Sequence, residues 1–215
     1  MNMVYQVIIV LVPMILSLSV HEFAHAWSAY KLGDDTAKRQ GRLTLNPLAH
    51  IDPIGTLLLP ILLTVQGGGF FFGWAKPVPV NSTNFRRGIS MRKGDILTAV
   101  AGPMSNIIIA FIASGIIIGT GTFGLASETN PAMILVSRMF MINLALAVFN
   151  ILPVPPLDGH YLLPQELQSK LRQYQLFVFI ALLVAINFFS TIMAVPITII
   201  GKSMVSFWAL IFGGA

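Results

Sequence analysis

Two histidines four residues apart stand in the run His21-Glu22-Phe23-Ala24-His25. On a helix that spacing projects both imidazoles from one face, so they can share one metal ion. Glu22 is rotated about 100° from His21, close enough to meet a water at the metal without being a ligand. This is the H-E-x-x-H spacing of zinc hydrolysis, and an accidental match on a polar helix end is its alternative. The chain contains no cysteine, so a metal must be held by His, Asp or Glu. A catalytic zinc keeps three protein ligands and one open position, which leaves one ligand to find. Asp158 is the candidate, in a Pro-broken stretch just after an apolar span; the alternative is an interfacial turn aspartate before Gly159. His50 and His160 are expected not to bind, because a fourth protein ligand would close the site to water. His50 reads as a loop or substrate-side residue. His160 reads as interfacial, with orientation of Asp158 as its other possible use.

The elements that must carry these residues are membrane helices. Of 215 residues, 55% are hydrophobic and 10% charged, and the mean hydropathy is +0.80. Disorder, a collagen-like chain and a disulfide-stapled secreted fold are excluded. Apolar stretches approach the roughly 20 residues that cross a hydrocarbon layer about 30 Å thick. The expected fold is an all-α polytopic membrane protein of about five or six hydrophobic helices, with a small β or irregular re-entrant region between the first and third helical segments. The domain is expected to be single, over 1–215: a helix at 1–31 bearing the histidines, a re-entrant region at 41–90, core helices at 95–121 and 131–159, and C-terminal helices at 174–212. The apolar start has no Lys or Arg and reads as a retained helix, ended by Gly33. Ile54–Val65 is too short for a full span and reads as re-entrant or a buried hairpin. Asp95 is the expected N-cap of the third segment. Pro196 is expected to separate Leu176–Val195 from Ile197–Phe212.

Net charge is +5, and the basic residues cluster. Lys31, Lys38, Arg39 and Arg42 follow the first helix, Lys76, Arg86, Arg87, Arg92 and Lys93 precede the third, and Lys170 and Arg172 follow the prolines. The positive-inside rule therefore places the N-terminus outside and the His21 and Asp158 ends toward the cytoplasm. Arg138 and Lys202 are the exceptions. An ionisable residue at mid-membrane costs about 2.5–3.5 kcal/mol on insertion scales, so three within residues 21–25 need partners or a wet cavity, and a cation is such a partner.

Over nearly its whole length the chain resembles the site-2 protease family of intramembrane zinc metalloproteases. The resemblance rests on His21-Glu22-Phe23-Ala24-His25, Gly102-Pro103-Met104-Ser105-Asn106, and Asn150-Ile151-Leu152-Pro153 followed by Leu157-Asp158-Gly159. It implies that His21, His25 and Asp158 bind one Zn2+, that Glu22 activates water, and that Asn150 stands near the substrate or oxyanion. It also implies a minimal form without PDZ or CBS domains, acting in regulated intramembrane proteolysis in the cytoplasmic membrane. Asn106 and Asn150 read either as substrate or oxyanion contacts or as hydrogen bonds between helices. The expected partners are a transmembrane protein substrate and the lipid bilayer, with no nucleic acid. Gly67–Val80, with Phe70, Phe71, Phe72 and Trp74, is either an edge that pairs with extended substrate or an interfacial aromatic anchor. A divalent-metal transporter and a non-catalytic scaffold that binds membrane helices are the competing functions.

Overall fold

The computed structural model describes residues 3–66, 73–122, 130–188 and 190–213. Its helices are α1 (Met3–Leu32), a single turn α2 (Thr36–Arg39), α3 (Leu59–Val65), α4 (Met91–Thr122), α5 (Pro131–Asn150), α6 (Gln165–Gln173), α7 (Gln175–Phe188) and α8 (Ser190–Phe212). Among the described residues, four apolar helical segments are long enough to cross a membrane: α1, α4, α5 and Met193–Phe212 of α8. The protein is integral to a membrane.

The central helix is α4, which packs against α1, α5 and α8. Its inward face is built of small residues, among them Ala99, Gly102, Ala110 and Ala113. Membrane helices gain little from excluding water, so they associate through close backbone approach and buried polar contacts, and small side chains permit that approach. One apolar cluster, Met14, Leu18, Ala75 and Ile142, joins α1 to α5. Another, Ala110, Leu144 and Met204, joins α4, α5 and α8.

α1 ends as its sequence implies. The Gly33 N–H donates to the Tyr30 carbonyl (3.1 Å) and the Asp34 N–H to that of Ala29 (2.9 Å), so carbonyls of the last turn are satisfied from beyond the helix. The chain then wraps through short turns to Asp52, whose Oδ1 accepts from the Ile54 and Gly55 amides. That cap starts a π-helical turn, Pro53–Leu58, which continues into α3. The whole apolar helix Pro53–Val65 is too short to span.

Three expectations change. No strand is present among the described residues. Residues 73–81 run extended, but Pro77 and Pro79 remove the donors a ladder needs and the partners are loop groups and side chains. The Gly67–Gly69 run and Phe70–Phe72 lie outside the described residues. Asp95 is not a cap: α4 begins at Met91, where Ser90 Oγ accepts from the Lys93 amide (3.3 Å), and Asp95 accepts from Ser82 Oγ. Pro196 lies inside α8 and does not interrupt it. Transmembrane helices tolerate proline where neighbouring groups satisfy the freed carbonyl.

Candidate metal centre

His21, Glu22 and His25 are all buried on α1. The two imidazoles meet edge-on, with centroids 4.6 Å apart, against Gly102 of α4, which offers no side chain. A Cβ built on Gly102 would lie 2.4 Å from His25 Nε2 and 2.6 Å from His21 Cε1. Asp158 arrives from the turn after α5, as the first residue of a short 3-10 helix, Asp158–Leu162. Its Oδ2 stands 3.1 Å from His21 Nε2 and 3.4 Å from His25 Nε2, and the two Nε2 atoms are 3.0 Å apart.

The hydrogen-bond network fixes which ring nitrogens carry protons. His25 Nδ1 is 2.7 Å from the Thr98 carbonyl, which can only accept, so Nδ1 donates. For His21 the direction runs through two amides. Asn143 Nδ2 donates to the Met139 carbonyl (2.8 Å) and to Ser17 Oγ (2.7 Å). Asn143 Oδ1 therefore faces Asn106 Nδ2 (2.8 Å), and Asn106 Oδ1 is left to accept from His21 Nδ1 (2.6 Å). In both neutral rings the proton sits on Nδ1 and Nε2 presents a lone pair.

Two imidazole lone pairs and a carboxylate oxygen thus converge, and Asp158 Oδ2 is buried without a hydrogen-bond donor. Such a trio is repulsive unless a cation lies among its members. A proton can bridge only one pair, whereas a divalent ion meets all three. Donor atoms around a tetrahedral zinc at about 2.0–2.1 Å are about 3.3 Å apart, which matches these spacings. The residues present fit the group.

Beside the trio lies a cavity of about 540 Å3, within the range of small-molecule and peptide sites. Glu22 and Asn150 line it with the trio, and the extended segment forms one wall. Even-numbered residues of that segment are tied down. The Trp74 amide donates to the Gly55 carbonyl and the Lys76 amide to that of His50. The Trp74 and Lys76 carbonyls accept from Thr56 Oγ1 and Arg42, and the Val78 amide donates to Glu22 Oε2 (2.9 Å). The end of the segment is held by Asp34, which accepts from the Asn81 amide and from Asn84 and Thr36. Burial works against that charge, but the Asn81 N–H and the Thr36 and Asn84 donors hold the carboxyl below the usual carboxylate range.

Asn150 lines the cavity, with Nδ2 donating to the Leu146 carbonyl of its own helix (3.0 Å). Asn106 is fully buried, its amide spanning from His21 to Asn143. His50 is buried rather than at a loop surface. It donates from Nε2 to the Thr44 carbonyl (2.8 Å), and its own carbonyl holds Lys76. His160 is buried within the protein; its Nδ1 donates to the Leu157 carbonyl (2.7 Å), and it lies outside the group that could hold a metal. Asn143 and Thr98 were missed. Thr98 acts through its main-chain carbonyl and left no side-chain signal. Asn143 was visible as a lone amide within an apolar span, where a buried partner is the usual explanation. Asn106→Ala removes the acceptor that holds the His21 tautomer and is expected to weaken zinc affinity roughly 10- to 100-fold, read by competition with a chelator.

No family model matches the chain, and no solved structure does. Among known proteins it is 43% identical over 180 residues to "Putative zinc metalloprotease YwhC" of Bacillus subtilis (strain 168), covering 80% of this chain and 77% of that one. It is 29% identical over 170 residues to "Putative zinc metalloprotease Rip2" of Mycolicibacterium smegmatis, covering 77% of this chain and 60% of that one. Rip2 of Mycobacterium tuberculosis (strain ATCC 25618 / H37Rv) matches at the same 29% over 169 residues. With this likeness added to the convergent histidines and aspartate, the chain belongs to the site-2 protease family of zinc metalloproteases.

Proposed function

We propose that the chain is an intramembrane endopeptidase that cleaves transmembrane segments of membrane proteins near the cytoplasmic side, with one zinc ion held by His21, His25 and Asp158. The observation that carries this reading is the convergence of three donor atoms, from His21, His25 and Asp158, beside Glu22 at the wall of a cavity. Zinc in that position supplies Lewis acidity, polarising a carbonyl and making water a nucleophile near neutral pH. Glu22 is the general base that takes the proton of the attacking water and passes it to the leaving amine. Its bond from the Val78 amide fixes the carboxylate at the cavity wall. Asn150 turns an amide N–H toward the oxyanion. Asn106 is a positioning residue, acting through His21. The clustered basic residues place the N-terminus outside and the site toward the cytoplasm.

A transmembrane helix buries its peptide groups in its own hydrogen bonds, so it must unwind before it is cut. The odd-numbered edge of residues 73–80 suits the unwound chain. The Ala75 amide and the Ala75 and Pro77 carbonyls have no partner among the described residues, and both residues line the cavity. Ala75→Pro removes that one amide without touching the tied edge. It is expected to lower cleavage about tenfold while zinc content stays at the wild-type level.

The central test uses Glu22→Gln in purified protein with a reporter transmembrane substrate. Zinc content should persist while cleavage falls at least about a hundredfold, and a chelator should abolish wild-type cleavage. Persistence of cleavage in Glu22→Gln would overturn the reading. Metal flux through vesicles, altered by the variant and with no cleavage by either protein, would assign the site to transport instead.

A further inference from the structure

Lys202 stands near the middle of the apolar span Met193–Phe212 of α8 (Ser190–Phe212), about 15 Å of helix from the C-terminal end of that span and about 14 Å from its start. A lysine stem extends roughly 6 Å, so the ammonium cannot reach either interface by snorkelling. It points outward. The opposite face of α8 carries Gly201 and Met204, which pack on Phe140, Leu144 and Ala110. Among the described residues no carboxylate lies within ion-pair distance of Lys202. An ammonium in hydrocarbon without a partner is costly, and residues of this kind mark function by default.

The surface around it has the character of a helix-docking face. Ile199, Ser203, Ser206, Phe207 and Leu210 are exposed at helical spacing around Lys202. Ser203 satisfies its hydroxyl on the Ile199 carbonyl (2.9 Å), and small side chains beside the charge allow another helix to approach closely. The charge decides the occupant. The chain has eight acidic residues. Glu22 and Asp158 are at the cavity, Asp34, Asp35, Asp52, Asp95 and Glu166 lie at or beyond helix ends, and Glu128 falls between α4 and α5. A second copy therefore brings no carboxylate to the depth of Lys202.

We propose that this face of α8 docks a transmembrane helix of another protein that carries an aspartate or glutamate at mid-membrane, paired with Lys202. The inference is independent of the hydrolytic reading, because none of the described side chains of α8 lines the cavity.

The test is association of labelled protein with synthetic Leu/Ala transmembrane helices in phosphatidylcholine vesicles, read by energy transfer. A helix with a central Asp should associate at least tenfold more tightly than one with a central Leu, and the preference should vanish when the Asp is moved to the helix end. Lys202→Leu should bind both helices alike, and Lys202→Glu should prefer a helix with a central Lys. Equal binding of Asp- and Leu-centred helices to the wild type, or a preference that survives in Lys202→Leu, overturns the proposal. So does self-association of the wild type that Lys202→Leu abolishes, because it would give the face to a second copy. Zinc content and far-UV circular dichroism check that the variants fold; if they do not, the depth series on the wild type decides alone.

Discussion

Asp158→Ala is expected to strip the protein of zinc. Purified wild type should carry close to one ion per chain, and the variant should retain almost none after dialysis. The expectation follows from the donor geometry. With Nδ1 of each histidine committed to an acceptor, Asn106 Oδ1 and the Thr98 carbonyl, the ligand groups aimed at the common point among the described residues are two Nε2 atoms and Asp158 Oδ2. Removing the carboxylate leaves two ligands and takes away the only negative charge that belongs to the donor trio. Loss of a residue that merely supports a ligand costs 10- to 100-fold in affinity, so loss of a ligand itself should exceed roughly a hundredfold. His21→Ala should behave alike. Asp158→Asn separates charge from shape: it keeps the size and an oxygen donor but lowers affinity for a divalent cation, so it should fall between alanine and wild type. Full zinc content in Asp158→Ala, measured by elemental analysis, would show that the aspartate is a turn residue after all.

How far the site could be read from the sequence depended on whether each residue's role is local or tertiary. His21 and His25 announce themselves because helical periodicity alone puts them on one face. Asp158 comes from a loop 133 residues beyond His25, and only its proline-broken setting beside an apolar span pointed to it. The long spans were legible because hydrophobic length is an additive property of the chain. The extended segment at 73–81 was not, since its partners are single groups scattered over α1, Arg42, His50 and Gly55, and no periodicity encodes such pairings. The helix limits at Ser90 and Pro196 failed for a related reason. A hydroxyl three residues before an amide can start a helix ahead of a stronger-looking aspartate, and a membrane helix keeps a proline that a water-exposed one would reject.

Gly102→Ala carries the second large expectation, and its two effects point in opposite directions. By helix propensity alone the change is favourable by about 1 kcal/mol, since alanine fixes the helical backbone at lower entropic cost than glycine. α4 should therefore be at least as helical as before, and far-UV circular dichroism should not fall. The added methyl has no room, however. It would lie 2.4 Å from His25 Nε2, 2.5 Å from His25 Cε1 and 2.6 Å from His21 Cε1, well inside van der Waals contact. The rings cannot retreat along α1, because Thr98 and Asn106 hold their far nitrogens at 2.7 and 2.6 Å from α4 itself. Either the two helices part or the imidazoles rotate off the common point, and both outcomes separate the donor atoms. A misplacement of about 1 Å is enough to cost roughly a hundredfold in rate, so cleavage should drop by at least that factor, with zinc affinity falling in parallel. Gly102→Ser should be equally damaging, since it adds the same Cβ. A variant that gained helicity and kept both zinc and cleavage would mean that α1 and α4 have more freedom at the metal centre than their hydrogen bonds allow.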